Sequence, residues 1–445
     1  MTSPTLRGRR PAVALIVLSA LLASGCGGST GGGASSVTTS VTTRARTAGA
    51  DGVIKIGLLS TLNGTFAALG QAANYGAKLA LLDAGAKLAG AGDRAGITDL
   101  TIGGQNVQLI VESSDTKPAV ALAAARRLVD REHVDILVGP LSGDEGLAVK
   151  GYAKLHPEVT FVNGASAAQN VTLRDPVPNF FRFTTDGAQW AAGLGGYAVA
   201  TLHYRRVATL AEDYSFPYDQ VGGFMAAFCA SGGKVPQKIW VPLGTGDFSA
   251  FIAAIPKGID ALYIALGGTD AVSLIKQLDV SSFKGIPILG GSITVDGSVI
   301  KALGKRAEGI VSAGPVAVLD TAEYRDYAAK LKVNFPQAGP PGIFDIGYYT
   351  EMTATLRALT EVDGTLDDGH VALNAALAKL TLTTPTGPVR LDQNRQAVAN
   401  NYLFQVRHGE KKLIKTLHDV NQTLGLDRDA YIAQPANDRD HPSCP

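Results

Sequence analysis

The sequence predicts an α/β protein with mainly parallel sheets, and three observations point to that class. Short apolar runs rich in β-branched residues recur along residues 53–407, and their continuous hydrophobicity is typical of strands covered on both faces. Helical patterns lie between the runs, and this alternation favours right-handed βαβ crossovers. The body that follows the N-terminal segment has about 395 residues, which is too long for one core and suits two domains.

The body contains eleven predicted strands. In order they are VIKIGLL (53–59), VQLIVES (107–113), DILVGPL (135–141), VTFVNG (159–164), FFRFTT (180–185), RVATLAE (206–212), KIWVPL (238–243), ALYIAL (261–266), IPILGG (286–291), GIVSAGPV (309–316) and YLFQVR (402–407). Apolar residues recur at helical spacing over 69–82, and again over 119–129 after Pro118. These two patterns predict helices that connect the first strands.

Several predicted strands end in small polar turns. The turns read LLSTLNGT, VGPLSGDEG, VNGASAAQN, LAEDYSF, ALGGTD and LGGSIT. In open α/β sheets, ligands bind outside the carboxyl ends of the strands. Backbone N–H groups at the helix starts favour an anionic or strongly accepting ligand group. The six turns together predict a ligand site at this edge.

Residues 1–25 have the three parts of an export signal. Arg7, Arg9 and Arg10 form a basic head, and the following apolar segment, 12–22, is too short to cross a bilayer. Small residues then precede Cys26, so that the end of the segment resembles a bacterial lipobox. A lipidated cysteine anchors a protein through its acyl chains. The alternative is a plain signal peptide with a chance cysteine.

The segment that follows is predicted to be a disordered linker. From Cys26 to residue 52 it consists largely of Gly, Ser, Thr and Ala, and its few valines cannot form a core. A flexible chain of roughly 25 residues has a reach of about 25–30 Å. We therefore expect a body tethered to the extracytoplasmic face of the cell membrane by lipid alone.

Composition excludes several function classes. The net charge is +1, from 40 basic and 39 acidic residues, without long runs of either sign. This argues against nucleic acid or another polyanion as partner. Later segments are not apolar enough to suggest a membrane span. Cys229 and Cys444 could pair in an oxidising compartment and pin the tail 436–445 to the body; the alternative is two free thiols.

Enzyme signatures are weak, and we expect no catalysis, cofactor or metal. The seven histidines lack metal-ligand spacing, and the sequence has no GxxxxGK[ST] phosphate loop. The segment 164–168, GASAA, is one glycine short of a G-x-S-x-G nucleophile elbow, so a hydrolase with Ser166 as nucleophile stays a minor alternative. The acidic stretch 363–370 lacks calcium-loop spacing and is interpreted as a surface turn.

Long stretches of the body resemble extracellular solute-binding proteins of the leucine/isoleucine/valine type. The likeness begins at IKIGLLSTLNGTFAALGQAANYGAKLALLDAG and continues in order through most of the body. The matching segments are 54–85, 107–149, 161–173, 180–198, 207–228, 260–278 and 344–359. Tethered lipoproteins are usual among Gram-positive members, which agrees with the predicted lipobox.

The resemblance implies a type I periplasmic binding protein fold. Two Rossmann-like lobes would be joined by three hinge crossovers, near Thr184, near 313–315 and near 394–399. The expected first lobe is 53–184 plus 315–396, and the second is 185–314 plus 397–435. A monomer would bind a small solute between the lobes and close by hinge bending. It would then deliver the solute to an ABC permease and its ATPase.

The resemblance also implies a ligand-binding set. In the amino-acid binders, two first-lobe turns hold the ligand carboxylate, here Ser142-Gly143-Asp144 and Gly164-Ala165-Ser166. Ser166 matches a hydroxyl donor, whereas Gly143 stands where many relatives have a second serine. Ser142 and Ser166 could instead cap helices.

On the opposite lobe, Tyr214 and Phe216 occupy the loop where relatives place an aromatic residue against the ligand. Leu69 replaces a tryptophan wall seen in some relatives. Ser292 stands where an acidic residue often pairs with the ligand ammonium, and Gly267 lies where an aromatic residue is common. Asp144 could supply the missing negative charge or could cap a helix.

The sequence therefore keeps the turns that hold the carboxylate in the amino-acid binders, but it lacks their acidic partner for the ligand ammonium. We expect a branched-chain amino acid or a related small carboxylate or amide as ligand. Two functions remain at this stage: a receptor for ABC import, and a sensor that reports the same ligand to a signalling partner.

Overall fold

The computed structural model describes residues 52–90 and 92–444. The predicted signal segment, Cys26 and the predicted linker up to residue 51 lie outside the described residues. The strands are β1 (Val53–Thr61), β2 (Lys87–Ala89), β3 (Gly96–Thr98), β4 (Thr101–Ile102), β5 (Gln105–Ser114), β6 (Ile136–Val138), β7 (Thr160–Val162), β8 (Phe180–Phe181), β9 (Val207–Glu212), β10 (Lys238–Val241), β11 (Ala261–Ala265), β12 (Ile288–Gly290), β13 (Val311–Gly314), β14 (Thr381–Thr384), β15 (Gly387–Leu391), β16 (Ala397–Arg407) and β17 (Glu410–Val420).

Helices connect most of these strands. The α-helices are α1 (Ala67–Asp83), α2 (Pro118–Arg126), α3 (Gly143–Ala153), α4 (Gly187–Trp190), α5 (Leu194–Ala200), α6 (Ser215–Ala230), α7 (Ser249–Ala253), α8 (Gly268–Leu278), α9 (Gly297–Leu303), α10 (Ala322–Asn334), α11 (Ile343–Glu361), α12 (Val371–Lys379) and α13 (Arg428–Ala433). A π-helical turn continues α2, and two 3₁₀ turns follow β7 and α9.

The first sheet has the strand order β4-β5-β1-β6-β7-β8. Its neighbours are parallel except at β4, which is antiparallel to β5. Neighbouring residues on β1 enter different cores, because Leu58 packs with α1 and α11 whereas Leu59 packs with α2 and α3. Helices thus cover both faces, which explains why these strands are continuously apolar.

The second sheet has the order β10-β9-β11-β12-β13-β16-β15-β14, with β17 paired to β16. The strands from β10 to β13 are parallel, and β16 is antiparallel to β13 and to its other neighbours. We call the parts of the chain built on the first and second sheets the first and second lobes. The mainly parallel α/β class predicted from the sequence is confirmed.

Each of the eleven predicted strands overlaps a strand of the structure. The run 402–407 is the end of the longer β16, and it pairs antiparallel rather than parallel. The helix expected over 69–82 is α1, and the helix expected over 119–129 is α2 with its π-helical continuation. The sequence pattern missed the short or one-sided strands, namely β2, β3, β4, β14, β15 and β17.

The chain crosses between the sheets at the hinge. It enters the second lobe after β8 and returns after β13, because α11 packs against α1 and β6. The strands β14 and β15, which the expected boundaries place in the first lobe, pair with the second sheet. The turn between β15 and β16 still contacts the first lobe, since the Arg182 amide donates to the Arg395 carbonyl at 2.9 Å.

A buried polar network lies at the hinge. Arg182 and Asp186 are both fully buried, with 3.6 Å between Nη2 and Oδ2. Gln396 Nε2 donates to the Thr184 carbonyl at 3.0 Å and to Gln189 Oε1 at 2.9 Å. The network fixes where the crossing strands meet and so sets the relation of the two lobes.

Candidate functional site

The two sheets face each other through the carboxyl ends of their parallel strands. The loops after β6 and β7 meet the loops after β9, β11 and β12 in a cleft between the lobes. The cleft is lined by Phe66, Leu141, Ser142, Gly143, Ala165, Ala167, Trp190, Tyr214, Phe216, Ile293 and Phe344. The enclosed space is about 20 Å³, which is room for about one water molecule. The cleft is closed in this structure.

Close backbone approaches hold the lobes together. A Cβ atom added to Gly143 would lie 2.7 Å from Ser215 Oγ and 3.1 Å from Phe216 Cβ. A Cβ atom at Gly267 would lie 2.7 Å from Ile293 Cδ1 and 3.4 Å from Phe66 Cε1. The two glycines are the positions where the resemblance implied serine and aromatic residues, and their lack of a side chain allows this closed packing.

Asp144 connects the lobes directly. It lies in the first turn of α3, and its Oδ1 accepts a hydrogen bond from the Ser215 backbone amide at 3.2 Å. Ser215 is the first residue of α6, so the Asp144 carboxylate interacts with the positive end of a helix of the opposite lobe. The sequence left open whether Asp144 faces the ligand or caps a helix. The structure shows its carboxylate bonded to the N-terminus of α6, and its role toward a ligand stays a prediction.

Aromatic side chains form much of the cleft wall. The rings of Trp190 and Phe216 meet edge to face with centroids 5.3 Å apart, and the Tyr214 ring lies 6.1 Å from that of Phe216. Trp190 Nε1 donates to Thr185 Oγ1 at 2.8 Å, which satisfies its only polar group. The wall can therefore contact an apolar or aromatic ligand body without leaving the indole N–H unpaired.

Glu212 is a fully buried carboxyl beneath Tyr214. Its Oε1 accepts from the Gly267 amide at 2.9 Å, and Oε2 has no hydrogen-bond partner by distance and angle among the described residues. Burial raises the pKa of Glu212 to about 8, against the opposing effect of the Gly267 hydrogen bond. Burial therefore favours the neutral form of Glu212 near pH 7 in this closed cleft.

Of the two serines predicted to contact the ligand, one lines the cleft and the other faces a helix. Ser142 lines the cleft at the N-cap position of α3, and its amide donates to Glu145 Oε2 at 3.1 Å. Ser166 is not among the cleft-lining residues. A Cβ atom at Gly146 would lie 1.8 Å from Ser166 Oγ, so the hydroxyl is directed at α3. Ala165 and Ala167 face the cleft instead.

Three further predicted residues lie around the cleft. Gly164 packs against Tyr348, because a Cβ atom there would lie 2.3 Å from Tyr348 Cζ. Ser292 is fully buried, and its Oγ accepts from Gln220 Nε2 at 2.6 Å. Leu69 lines a second cavity of about 610 Å³, the outer chamber, which shares Phe344 with the cleft.

Sequence reasoning missed six lining residues. They are Phe66, Leu141, Ala167, Trp190, Ile293 and Phe344. Phe66 lies in the turn that follows the first predicted strand, and an aromatic residue in such a turn is a signal that could have identified it. Trp190 ends the short helix α4, which follows the predicted strand 180–185. Phe344 comes from the returning helix α11, far along the chain, and only the fold brings it to the cleft.

Some functional features are absent from the part of the chain that the structure describes. Over 52–90 and 92–444, His, Cys, Asp and Glu side chains do not form a group of three or more that could hold a metal ion. The helices described are each too short or too polar to span a bilayer. Ser166 Oγ has no hydrogen-bond partner, hence no general base, in the same residues.

Two α/β lobes whose strand ends face a common closed cleft define a solute-binding protein of the hinged kind. The family model described as periplasmic binding protein matches residues 53–411, and the chain belongs to this family. The resemblance seen in the sequence is confirmed, and the chain is a binding protein and not an enzyme.

The individual proteins that are similar to this chain have low sequence identity to it. The Leu/Ile/Val-binding protein homolog 6 of Brucella melitensis is 25% identical over 370 residues, which cover 81% of this chain and 89% of that protein. An ABC transporter substrate-binding protein from Sphaerobacter thermophilus is 27% identical, with a TM-score of 0.72 over 82% of this chain and 98% of that chain. A solute-binding protein from R. palustris, solved with benzoate, is 23% identical, with a TM-score of 0.73 over 82% and 96%.

Proposed function

We propose that the chain is the substrate-binding component of an ABC importer and that its ligand is a small carboxylic acid with an apolar, preferably aromatic, body. The aromatic cleft between the facing strand ends carries this proposal. The ligand would bind an open form, and closure would bury most of its surface before the complex docks on the permease and its ATPase.

A carboxylate has a suitable partner in the first lobe. The lining residues Leu141, Ser142 and Gly143 lead into α3, so the first turn of that helix opens on the cleft. Helix N-termini attract anions through their free amides and the helix dipole. This position supports the expected carboxylate contact at Ser142 and Gly143. Ala165 would contribute at the same wall, and Ser166 and Gly164 would support it from behind.

Among the described residues, the position that pairs with an α-ammonium group in the amino-acid binders is not acidic. Ser292 replaces the acidic residue of the amino-acid binders and is occupied by Gln220. Asp144 accepts from the α6 N-terminus, and Glu212 is mostly protonated near neutral pH because it is buried. These observations favour a monocarboxylic acid over a branched-chain amino acid, in keeping with the benzoate bound by the R. palustris protein.

Isothermal titration calorimetry can test the ligand class. We expect heat with benzoate or hydroxybenzoates and little with leucine, isoleucine or valine. The variant Phe216→Ala removes a cleft ring and should weaken binding about tenfold or more. Tyr218→Ala is the matched control, because Tyr218 lies in the same helix but packs on Trp240. Tight binding of leucine with no response to aromatic acids would overturn the proposal.

Lipid attachment at Cys26 on the extracytoplasmic face is the second part of the proposal. The lipobox-like sequence and the family support it. Palmitate labelling and membrane fractionation should be lost in Cys26→Ser, and labelling that persists in this variant would contradict the anchor. A sensor role for the same lobes remains the alternative, and co-purification with a histidine kinase rather than a permease would favour it.

A further inference from the structure

A third cavity lies apart from the cleft, between elements of the second lobe and the segment after β13 that returns to the first lobe. Its volume is about 970 Å³, within the range of small-molecule pockets. It is lined by Gly297, Ile300, Lys301, Gly304, Lys305, Glu308, Val316, Ala317, Val318, Tyr324, Pro340, Pro341, His408, Gly409, Glu410 and Lys411. We call it the hairpin cavity, because the β16–β17 turn forms one wall. The helices α9 and α10 contribute the facing walls.

The floor of the hairpin cavity is apolar. Ile300, Val316 and Ala317 are buried side chains, and Tyr324 is only 6% exposed. The Tyr324 hydroxyl has no hydrogen-bond partner among the described residues, although its backbone amide bonds to Thr321. The floor thus offers an apolar surface with one free hydroxyl donor.

Lys411 is an unusual wall residue. It is 6% exposed, and its ammonium group lies 5.4 Å from the centroid of the Phe404 ring. No carboxylate forms an ion pair with it in the described part of the chain. The nearest acidic influences are Asp296 and Asp345, and burial lowers the pKa of Lys411 in spite of them.

Those two carboxylates are already engaged. Asp345 Oδ1 accepts from the Gly342 amide at 2.7 Å and Oδ2 from the Tyr327 hydroxyl at 3.0 Å. Asp296 Oδ1 accepts from the Ser298 amide at 3.0 Å. Lys411 Nζ makes no hydrogen bond or ion pair with the described residues, so an anion that enters the cavity would meet a positive charge that no carboxylate has neutralised.

The rim of the hairpin cavity has a positive balance of charge. Lys301 and Lys305 have no ion pair among the described residues, and the charge of Glu410 is balanced by Lys412. Glu308 keeps its negative charge, because the His408 amide that donates to it at 2.9 Å is neutral. Two unpaired lysines against one unpaired carboxylate leave the cavity mouth positive, which would attract an anion from solution.

We propose that the hairpin cavity binds a small organic anion, with its carboxylate or sulfonate on Lys411 and Tyr324 and its apolar body over Val316 and Ala317. This site is separate from the ligand cleft. Gly297, Lys301 and Pro340 line both the hairpin cavity and the outer chamber, so an occupant would contact elements that border the cleft.

Fluorescence titration of the full-length protein in detergent with anilinonaphthalene sulfonate tests the proposal. We expect one saturable site whose affinity falls about tenfold or more in Lys411→Met, because the charged hydrogen bond is lost while the side-chain volume is nearly kept. Lys415→Met is the matched control, since Lys415 lies on the same strand outside the cavity. Phenylnaphthylamine, which has the same rings without the sulfonate, should bind more weakly and should not respond to Lys411→Met.

Two further variants test whether the probe binds in the hairpin cavity or in the cleft. They also test whether a loss of binding comes from the site rather than from misfolding. Val318 is 40% exposed on the cavity wall, so Val318→Trp should place a bulky ring in the cavity without disturbing the core and should weaken binding at the same site. Phe216→Ala in the cleft should leave it intact. Equal probe affinity in wild type and folded Lys411→Met, or in Val318→Trp, would overturn the proposal. Loss of the site in Phe216→Ala would assign the probe to the cleft and overturn it as well.

Discussion

Glu212 shows how the cleft is built at the scale of one residue. Its carboxyl lies at the carboxyl end of β9 with no exposed surface, and it bonds to the turn that starts α8. A carboxyl with a pKa raised from 4.5 to about 8 holds a proton in the folded state that the unfolded chain releases. Between those two pKa values the folded state therefore binds more protons than the unfolded state.

This difference predicts a pH dependence of stability. The contribution of Glu212 to the free energy of unfolding is largest near pH 4.5 and is lost as the pH rises to about 8. Glu212→Gln is always neutral and keeps an acceptor for the Gly267 amide. It should gain on the order of 4 kcal/mol relative to wild type near pH 8, and only about 1 kcal/mol near pH 5.

Urea unfolding at the two pH values measures the effect. Glu323→Gln is the matched control, because Glu323 is exposed on α10 and should give the same difference from wild type at both pH values. Parallel stability curves for wild type and Glu212→Gln would show that Glu212 is charged in the folded protein.

Single residues also show which features of the site a sequence pattern cannot predict. The resemblance placed Ser142, Gly143, Ala165, Tyr214 and Phe216 in a binding set, and the structure brings these five together in the cleft. The direction of a side chain depends on backbone angles, which a sequence pattern does not specify. A hydroxyl in a glycine-rich turn can therefore face the helix behind it, as Ser166 does.

At the scale of elements, the cleft is held by two helices from different lobes. The first turn of α3 carries Asp144, which caps the N-terminus of α6. Loss of a capping side chain costs about 1 kcal/mol, which corresponds to about a fivefold change in an equilibrium constant. Because this contact joins the two lobes, it should stabilise the closed form relative to the open form. It should add little to the stability of either lobe alone.

Asp144→Ala should therefore open the protein without unfolding it. Small-angle scattering without ligand should give a larger radius of gyration, and the affinity for the cleft ligand should fall about fivefold. Thr321→Ala is the control, since Thr321 caps α10 within its own element through the Tyr324 amide. A scattering profile identical to wild type would mean that the cap does not favour closure.

The predictability of an element follows its burial. Strands such as β6 and β11 are apolar throughout, because helices cover both faces of the sheet, and a continuous apolar run is easy to recognise. β17 has the sequence EKKLIKTLHDV and is exposed over most of its length, so that charged residues interrupt the pattern. For the same reason the pattern did not reveal β14 and β15. These strands pair with the second sheet, whereas the expected boundaries placed them in the first lobe.

At the scale of the whole molecule, the last residues form a strap across both lobes. We define the strap as 428–444. On the first lobe, Arg174 Nη1 donates to the Ile432 carbonyl at 2.6 Å. On the second lobe, Trp240 Nε1 donates to the Arg439 carbonyl at 3.1 Å. Cys444 is bonded to Cys229 of α6, so the end of the strap is covalently attached to the second lobe.

The composition of the chain accounts for part of this arrangement. Two cysteines in an exported body suggested a pairing, and the length suggested two domains. The route of the strap could not be predicted, because much of it is held by backbone carbonyls that accept from Arg174, Lys238 and Trp240. These contacts do not depend on which side chains the strap carries. The side-chain contacts of Asn437 and Arg439 join residues 218 and 226 positions apart, and a sequence pattern does not reveal such distant pairs.

The disulfide should stabilise the whole body, since it joins residues separated by 215 positions and so restricts the unfolded chain. We expect the double variant Cys229→Ser/Cys444→Ser to lose about 2–4 kcal/mol and to melt several degrees lower, with limited proteolysis cutting first in the released strap. Reduction of wild type should reproduce the loss, whereas the reductant should not affect the double variant. Equal melting of both proteins under oxidising conditions would show that the noncovalent contacts hold the strap on their own, because Asn437 and Arg439 would then keep it in place through Asp219 and Asp213.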